Sequence, residues 1–143
     1  MREIRSKDNK IFKACQKLSQ KKHRDKAGMY LIEGENLIAE VPEKDLVYVF
    51  YREGQQYGSF ALQNQFIVSE ALFDKLAQTE TSQGVLAVVR KPDMTEGEME
   101  TCIQPEDNVV VLDRLQDPGN IGTIIRTAEG AGYKAVITVK GTG

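Results

Sequence analysis

The chain has 143 residues, 41% of them hydrophobic and 28% charged, with a net charge of −2. That is the composition of a globular protein, sized for one domain or for one small domain plus part of another. No apolar run approaches the roughly 20 residues that span a bilayer, the start MREIRSKDNK lacks a signal-peptide core, and a lone histidine (His23) with two distant cysteines excludes a zinc centre; the expectation is a cytoplasmic protein with no membrane partner and no metal.

The charge is unevenly placed. Residues 1–26 hold ten Lys and Arg against Glu3, Asp8 and Asp25, a net of +7, which leaves −9 for the rest of the chain. A basic arm on an acidic body reads either as a solvated helix face or as a surface for a polyanion. The second reading falls on Lys17, Lys21, Lys22, Arg24 and Lys26.

In chain order, residues 8–21 predict an amphipathic helix with the stripe Ile11, Phe12, Cys15, Leu18, capped by Asp8 or Asn9. Cys15 on that stripe reads as a core residue. A basic helix end or loop follows at 21–26, where lysines also suit a helix C-terminus, and Gly28 closes it. Strands are expected at 29–32, 46–51, 66–68 and 85–89, with a short helix at 36–41 stopped by Pro42. Residues 52–63 read as a polar loop or short helix. Ser69 caps a helix containing Leu72, Phe73 and Leu76, and 79–84 is a loop. Residues 92–107 are acidic, poor in apolar groups and flanked by prolines, so they read as a linker.

Residues 108–132 read NVVVLDRLQDPGNIGTIIRTAEGAG. An apolar strand at 109–113 runs into the turn signal Asp117-Pro118-Gly119-Asn120. A helix over 120–131 follows, with Ile121, Ile124, Ile125 and Ala128 on its apolar face. With Asp117 as N-cap, Pro118 takes the first helical position, where a missing N–H costs nothing. A further strand at 135–139 completes one βαβ unit. Such a unit cannot close a core alone, so the chain is expected to be cut inside its second domain. The glycines match neither the dinucleotide nor the P-loop fingerprint, which disfavours a flavodoxin-like or nucleotide-binding fragment. Packing does not require Asn120 or Arg126. Gly122 lies one turn before Arg126 and leaves space beside it. Arg126 is then either a surface group paired with Glu129 or Glu33, or a clamp for a phosphate.

Leu112-Asp113, Gln116 through Gly122, Ile125-Arg126-Thr127-Ala128 and Gly132 closely resemble the first motif of the SpoU/TrmH-type RNA ribose 2′-O-methyltransferases of the SPOUT class. The basic helix, Tyr30-Leu31-Ile32-Glu33-Gly34 and 81–88 (TSQGVLAV) resemble that family's substrate-binding domain, itself similar to small ribosomal RNA-binding proteins. The resemblance implies an α/β architecture: a small ribosomal-protein-like α/β/α RNA-binding domain at 1–91, a linker at 92–107, and at 108–143 the first βαβ unit of a SPOUT (trefoil-knot) parallel-sheet domain, truncated. It implies methylation of a ribose 2′-hydroxyl in ribosomal or transfer RNA, with Asn120 and Arg126 as catalytic residues. Because a free Arg stays protonated, Arg126 serves either as a base with a greatly lowered pKa or as a group that orients the hydroxyl and binds an adjacent phosphate. It also implies S-adenosylmethionine as the whole protein's cofactor, held by later motifs and not expected on this chain, and a homodimer. Phe12 and Tyr30 are the aromatics near the basic arm, so recognition of RNA by backbone and shape is expected rather than base stacking. The competing reading is a non-catalytic RNA-binding module of ribosomal-protein type, which has no use for Asn120 and Arg126.

Overall fold

The apolar runs of the first 92 residues assemble into one mixed sheet. The computed structural model describes residues 1–58, 60, 63–77 and 81–143 and divides the chain into two units, Met1–Pro92 and Asp93–Gly143. Of the loops expected at 52–63 and 79–84, residues 59, 61, 62, 79 and 80 lie outside the described residues. None of the described helices is long and apolar enough to cross a membrane.

The strands of the first unit are β1 (Arg2–Ile4), β2 (Met29–Glu33), β3 (Leu46–Arg52), β4 (Gln65–Val68) and β5 (Val85–Arg90); its helices are α1 (Lys10–Gln16), α2 (Lys21–Ala27), α3 (Glu35–Ala39) and α4 (Glu70–Leu76). The strand order is β1-β4-β3-β5-β2. β4 runs parallel to β1 and β3, while β5 is antiparallel to β3 and β2. Successive side chains on a strand face opposite ways, and this divides the interior into two cores. Phe50, Leu86 and Val88 meet Phe12, Cys15 and Leu18 together with Leu72, Phe73 and Leu76 on the side covered by α1 and α4. Val49, Tyr51, Val85, Ala87 and Val89 meet Ile38 of α3 on the other. The expected α/β/α layering forms. It explains why residues 85–89 are apolar throughout instead of alternating: every one of them is buried, because both faces of the sheet are covered.

Several expectations are corrected. The helix predicted over 8–21 is broken. Asn9 caps α1 through its Oδ1, a 3-10 turn at Lys17–Ser19 carries Leu18 into the core, and Gln20 is extended before α2 begins. The reason lies in the pattern: after Leu18 no apolar residue follows until Ala27, so packing has nothing to hold a continuous helix against the sheet. Gly28 ends α2 in the left-handed conformation. Strand β1 escaped the sequence reading, since Arg2 and Glu3 are exposed on an edge and Ile4 alone is buried. Ser69 occupies the cap position of α4, but its hydroxyl makes no capping bond.

In the second unit the stretch read as a linker contains helix α5 (Glu96–Cys102). Its signal was present in the sequence: Thr95 and Glu98 form a reciprocal capping box. Beyond it, parallel strands β6 (Val109–Leu112) and β7 (Ala135–Thr138) flank α6 (Pro118–Gly130). Only Leu112 and Ala128 are buried among the described residues of this unit. Ile121 and Ile124 are half-buried, and Ile125 is 44% exposed. The four-residue apolar face expected for this helix is therefore narrower, because a two-stranded sheet offers it one shallow surface.

Candidate functional site

Asn120 and Arg126 both lie on α6, and the local sequence sets their positions. Asp117 is the N-cap: its Oδ1 accepts from the backbone N–H of Gly119 at 2.8 Å and of Asn120 at 3.4 Å. Pro118 occupies the first helical position, as expected. The helix therefore starts immediately after the β6 loop, at the carboxyl end of the strand, where ligands of parallel sheets bind. Asn120 sits in the first turn with its side chain exposed. Arg126 stands about 9 Å further along the axis and about a third of a turn round.

Arg126 leans back toward that end. Its Nη2 donates to Thr123 Oγ1 at 3.3 Å, and the Thr123 hydroxyl donates in turn to the Gly119 carbonyl at 2.9 Å. A Cβ on residue 122 would stand 3.3 Å from Arg126 Nη1; glycine there gives the guanidinium its path along the helix. The alternative of a surface ion pair does not form: among the described residues Arg126 has no carboxylate within salt-bridge distance. An exposed guanidinium with one weak neutral partner keeps most of its donors for an oxyanion.

The loop before α6 holds groups to which the sequence reading gave no role. Arg114 adopts φ +55°, a conformation costing a non-glycine residue roughly 1–2 kcal/mol. Its N–H donates to Thr142 Oγ1 at 3.0 Å, and the Thr142 hydroxyl donates to the Leu112 carbonyl at 3.0 Å. Gln116 Nε2 donates to the carbonyls of Arg114 and Gly141. The turn after β6 is thus tied to the turn after β7. No strand or helix period marks Thr142 or Gln116, so only the fold reveals this tie.

The basic residues of the first unit divide by role. Lys17, Lys21, Lys22 and Lys26 are exposed and have no ion pair among the described residues. Lys22 and Lys26, four apart, share one face of α2. Arg24 differs. It is half-buried, and its Nη1 donates to the carbonyls of Leu18 at 3.0 Å and Ser19 at 2.8 Å, so it pins the break between α1 and α2. Elsewhere in the arm, Lys13 pairs with Asp8 at 3.1 Å and Arg5 with Glu3 and Glu53. Cys15 is inert core: burial pushes its thiol up to about 12.

Residues 9–87 match the MRM3-like substrate binding domain, and residues 107–143 match the SpoU rRNA Methylase family. The chain belongs to the MRM3-like substrate binding domain family. In sequence it is 34% identical to the 23S rRNA (guanosine(2553)-2′-O)-methyltransferase RlmP of Bacillus subtilis (strain 168), over 99% of this chain and 56% of that protein. It is 30% identical to mitochondrial rRNA methyltransferase 3 of Mus musculus, over 82% of this chain and 30% of that protein. In structure it matches an AdoMet-bound rRNA methyltransferase from Sinorhizobium meliloti with a TM-score of 0.78 at 28% identity, over 99% of this chain and 56% of that one. AviRb from Streptomyces viridochromogenes, a SpoU methyltransferase solved with AdoMet, matches with a TM-score of 0.77 at 25% identity, over 94% and 54%. The chain spans about half the length of the B. subtilis relative and of both solved structures.

Two of these similar solved structures carry AdoMet. A cavity of residues 93–143, about 260 Å³, is lined chiefly by Val110, Thr123, Ile124, Thr127, Ala128 and Tyr133. It offers no charged side chain for an amino-acid moiety. These residues alone do not form a cofactor site.

Proposed function

We propose that this chain supplies the RNA-gripping surface and the ribose-side half of the active site of an S-adenosylmethionine-dependent rRNA 2′-O-methyltransferase. The observation that carries the reading is Arg126, an exposed arginine with no carboxylate partner among the described residues, directed along Gly122 toward the helix start that holds Asn120. A pure RNA-binding module gives neither residue a task. In the proposed reaction the ribose O2′ acquires a methyl group and loses its proton. The Arg126 guanidinium, a donor-only group, holds the phosphate next to the target ribose and orients the 2′-hydroxyl; that phosphate is the nearest acceptor for the departing proton. Asn120, with a donor and an acceptor on one amide, fixes the nucleotide against the helix start. Positioning of this kind supplies a large share of such a rate. The exposed Val111, Ile125, Tyr133 and Val139 support a further element of the reading, a homodimer of the whole protein built through this unit.

The test is Arg126→Ala in the whole protein, with methyl transfer to ribosomal RNA and RNA affinity measured side by side. The expected result is a loss of at least ~10²-fold in turnover with affinity changed less than about threefold, since one phosphate contact is removed. Undiminished turnover would remove Arg126 from the mechanism.

A further inference from the structure

A polar cleft of the first unit, about 350 Å³, opens at the start of β5 and is lined by Glu35, Asn36, Gln55, Gln56, Gln83 and Gly84, with Val85 at its edge. Its volume is that of a small-ligand site. The chemistry of the lining is specific: one carboxylate, four carboxamides and no cation. None of these five side chains has a hydrogen-bond partner among the described residues.

The backbone holds the amides in place. A Cβ at Gly34 would fall 2.6 Å from Gln83 Oε1, and one at Gly84 would fall 2.8 Å from Gln55 Cγ; both glycines have positive φ, +105° and +78°. Each glutamine therefore lies against bare backbone that only glycine supplies without strain. The Gln83 N–H also donates to Glu33 Oε1 at 2.6 Å, which fixes this segment to the end of β2.

A phosphate does not suit this lining, because Glu35 would repel it. A nucleobase edge does. Carboxamides pair bidentately with neighbouring donor and acceptor atoms, and a carboxylate accepts from base N–H groups. Guanine presents two adjacent donors, N1–H and the N2 amine, on its Watson–Crick edge, and these match the two oxygens of one carboxylate. That edge is available only when the base is unpaired, as in RNA loops and bulges. We propose that the Glu35/Asn36/Gln55/Gln83 cleft takes up a single unpaired guanine of the RNA whose backbone the lysines of α2 hold. The proposal rests on the RNA-binding reading above. Helix α2 feeds one end of β2 and the cleft lies at the other, about 17 Å along a five-residue strand, so one hairpin can meet both.

Fluorescence anisotropy on the full 143-residue chain tests it with three RNA hairpins of identical stem: fully paired, with a single bulged guanosine, and with bulged inosine, which lacks the N2 amine. The guanosine bulge should bind about tenfold tighter than the paired stem, equivalent to ~1.4 kcal/mol. Inosine, and separately Glu35→Gln, should abolish most of that preference without weakening the paired hairpin. The side-chain amide signals of Asn36, Gln55 and Gln83 in a ¹⁵N–¹H spectrum should move with the guanosine bulge alone. Equal affinity for all three hairpins, or a guanosine preference that survives both Glu35→Gln and Asn36→Ala, overturns the proposal and leaves RNA binding standing. Binding of none of the three removes both the cleft's role and the RNA-binding reading beneath it.

Discussion

Replacing Lys21 and Lys22 with alanine should change the salt dependence of RNA binding by an amount the structure sets. Six lysines of residues 1–26 are exposed with no ion pair among the described residues, Lys7, Lys10, Lys17, Lys21, Lys22 and Lys26, and the four that cluster at 17–26 are the expected phosphate contacts; Lys13 and Arg5 are already paired and Arg24 is spent on backbone carbonyls. Four phosphate contacts give a slope of log affinity on log salt of about −3.6 for duplex RNA treated as B-form, or about −2.8 for single strands. Affinity then falls roughly 10²-fold between 50 and 200 mM salt. Removing Lys21 and Lys22 halves the contact number, so the slope becomes shallower by about 1.4–1.8 and the two curves converge at high salt. Arg24→Ala should behave differently, leaving the slope within about 0.5 of the parent and lowering thermal stability by ~1–3 kcal/mol through two lost charge-assisted bonds. Anisotropy titrations against a structured rRNA hairpin at five salt concentrations, with a melting curve for each variant, make the comparison. A slope unmoved by the double lysine change, or moved as much by Arg24→Ala, would refute the division of roles.

Asp117→Ala removes the cap that accepts from Gly119 and Asn120; it should cost ~1 kcal/mol, seen as faster amide exchange confined to the first turn of α6, and unchanged exchange there would count against the cap. Phe50→Ala empties a fully buried ring packed 5.7 Å from Phe66 and should lower unfolding free energy by ~3–5 kcal/mol in urea denaturation. Of the two thiols, exposed Cys102 should react with Ellman's reagent in the native chain while buried Cys15 reacts only after unfolding. Because the folded Cys15 thiol titrates at about 12, above its ordinary 9.0, the unfolded chain loses that proton first as pH rises. Stability should decline between about pH 9 and 12, and Cys15→Ala should flatten that part of the curve.

Residues 85–89 and the Phe12-Cys15-Leu18 stripe were legible in the sequence because burial on two faces, or on one helical stripe, leaves a period in the residues themselves. The start of α6 was legible for a chemical reason: Asp-Pro at its head is a cap followed by the one residue that loses nothing there. Three features were not. Strand β1 is an edge strand whose partner lies more than sixty residues away, so neither its charged residues nor their spacing announce it. Helix α5 was hidden by acidic composition, although its capping box stood in the sequence. The amide-lined cleft draws Glu35, Gln55 and Gln83 from three separate segments, and only the pairing of β5 with β2 and β3 brings them to one place. At the candidate site, residue types pointed to Asn120 and Arg126, but spacing alone left Arg126 undecided between an ion pair and a clamp. The side-chain path over Gly122, and the lack of a carboxylate near Arg126 among the described residues, come from geometry.

The hydroxyl of Thr142 donates to Leu112 and accepts from Arg114, 28 residues back along the chain. With Gln116 bonded to the Gly141 carbonyl, the two turns constitute one cooperative unit. The amide of Arg114 is then shielded from solvent exchange only while the segment beyond β7 is docked, so the left-handed kink that launches the loop toward Asn120 is enforced from a distance and not encoded by Arg114 itself. Order at the head of α6 is in that sense borrowed: anything that loosens residues 139–143 relaxes the kink before it disturbs the helix.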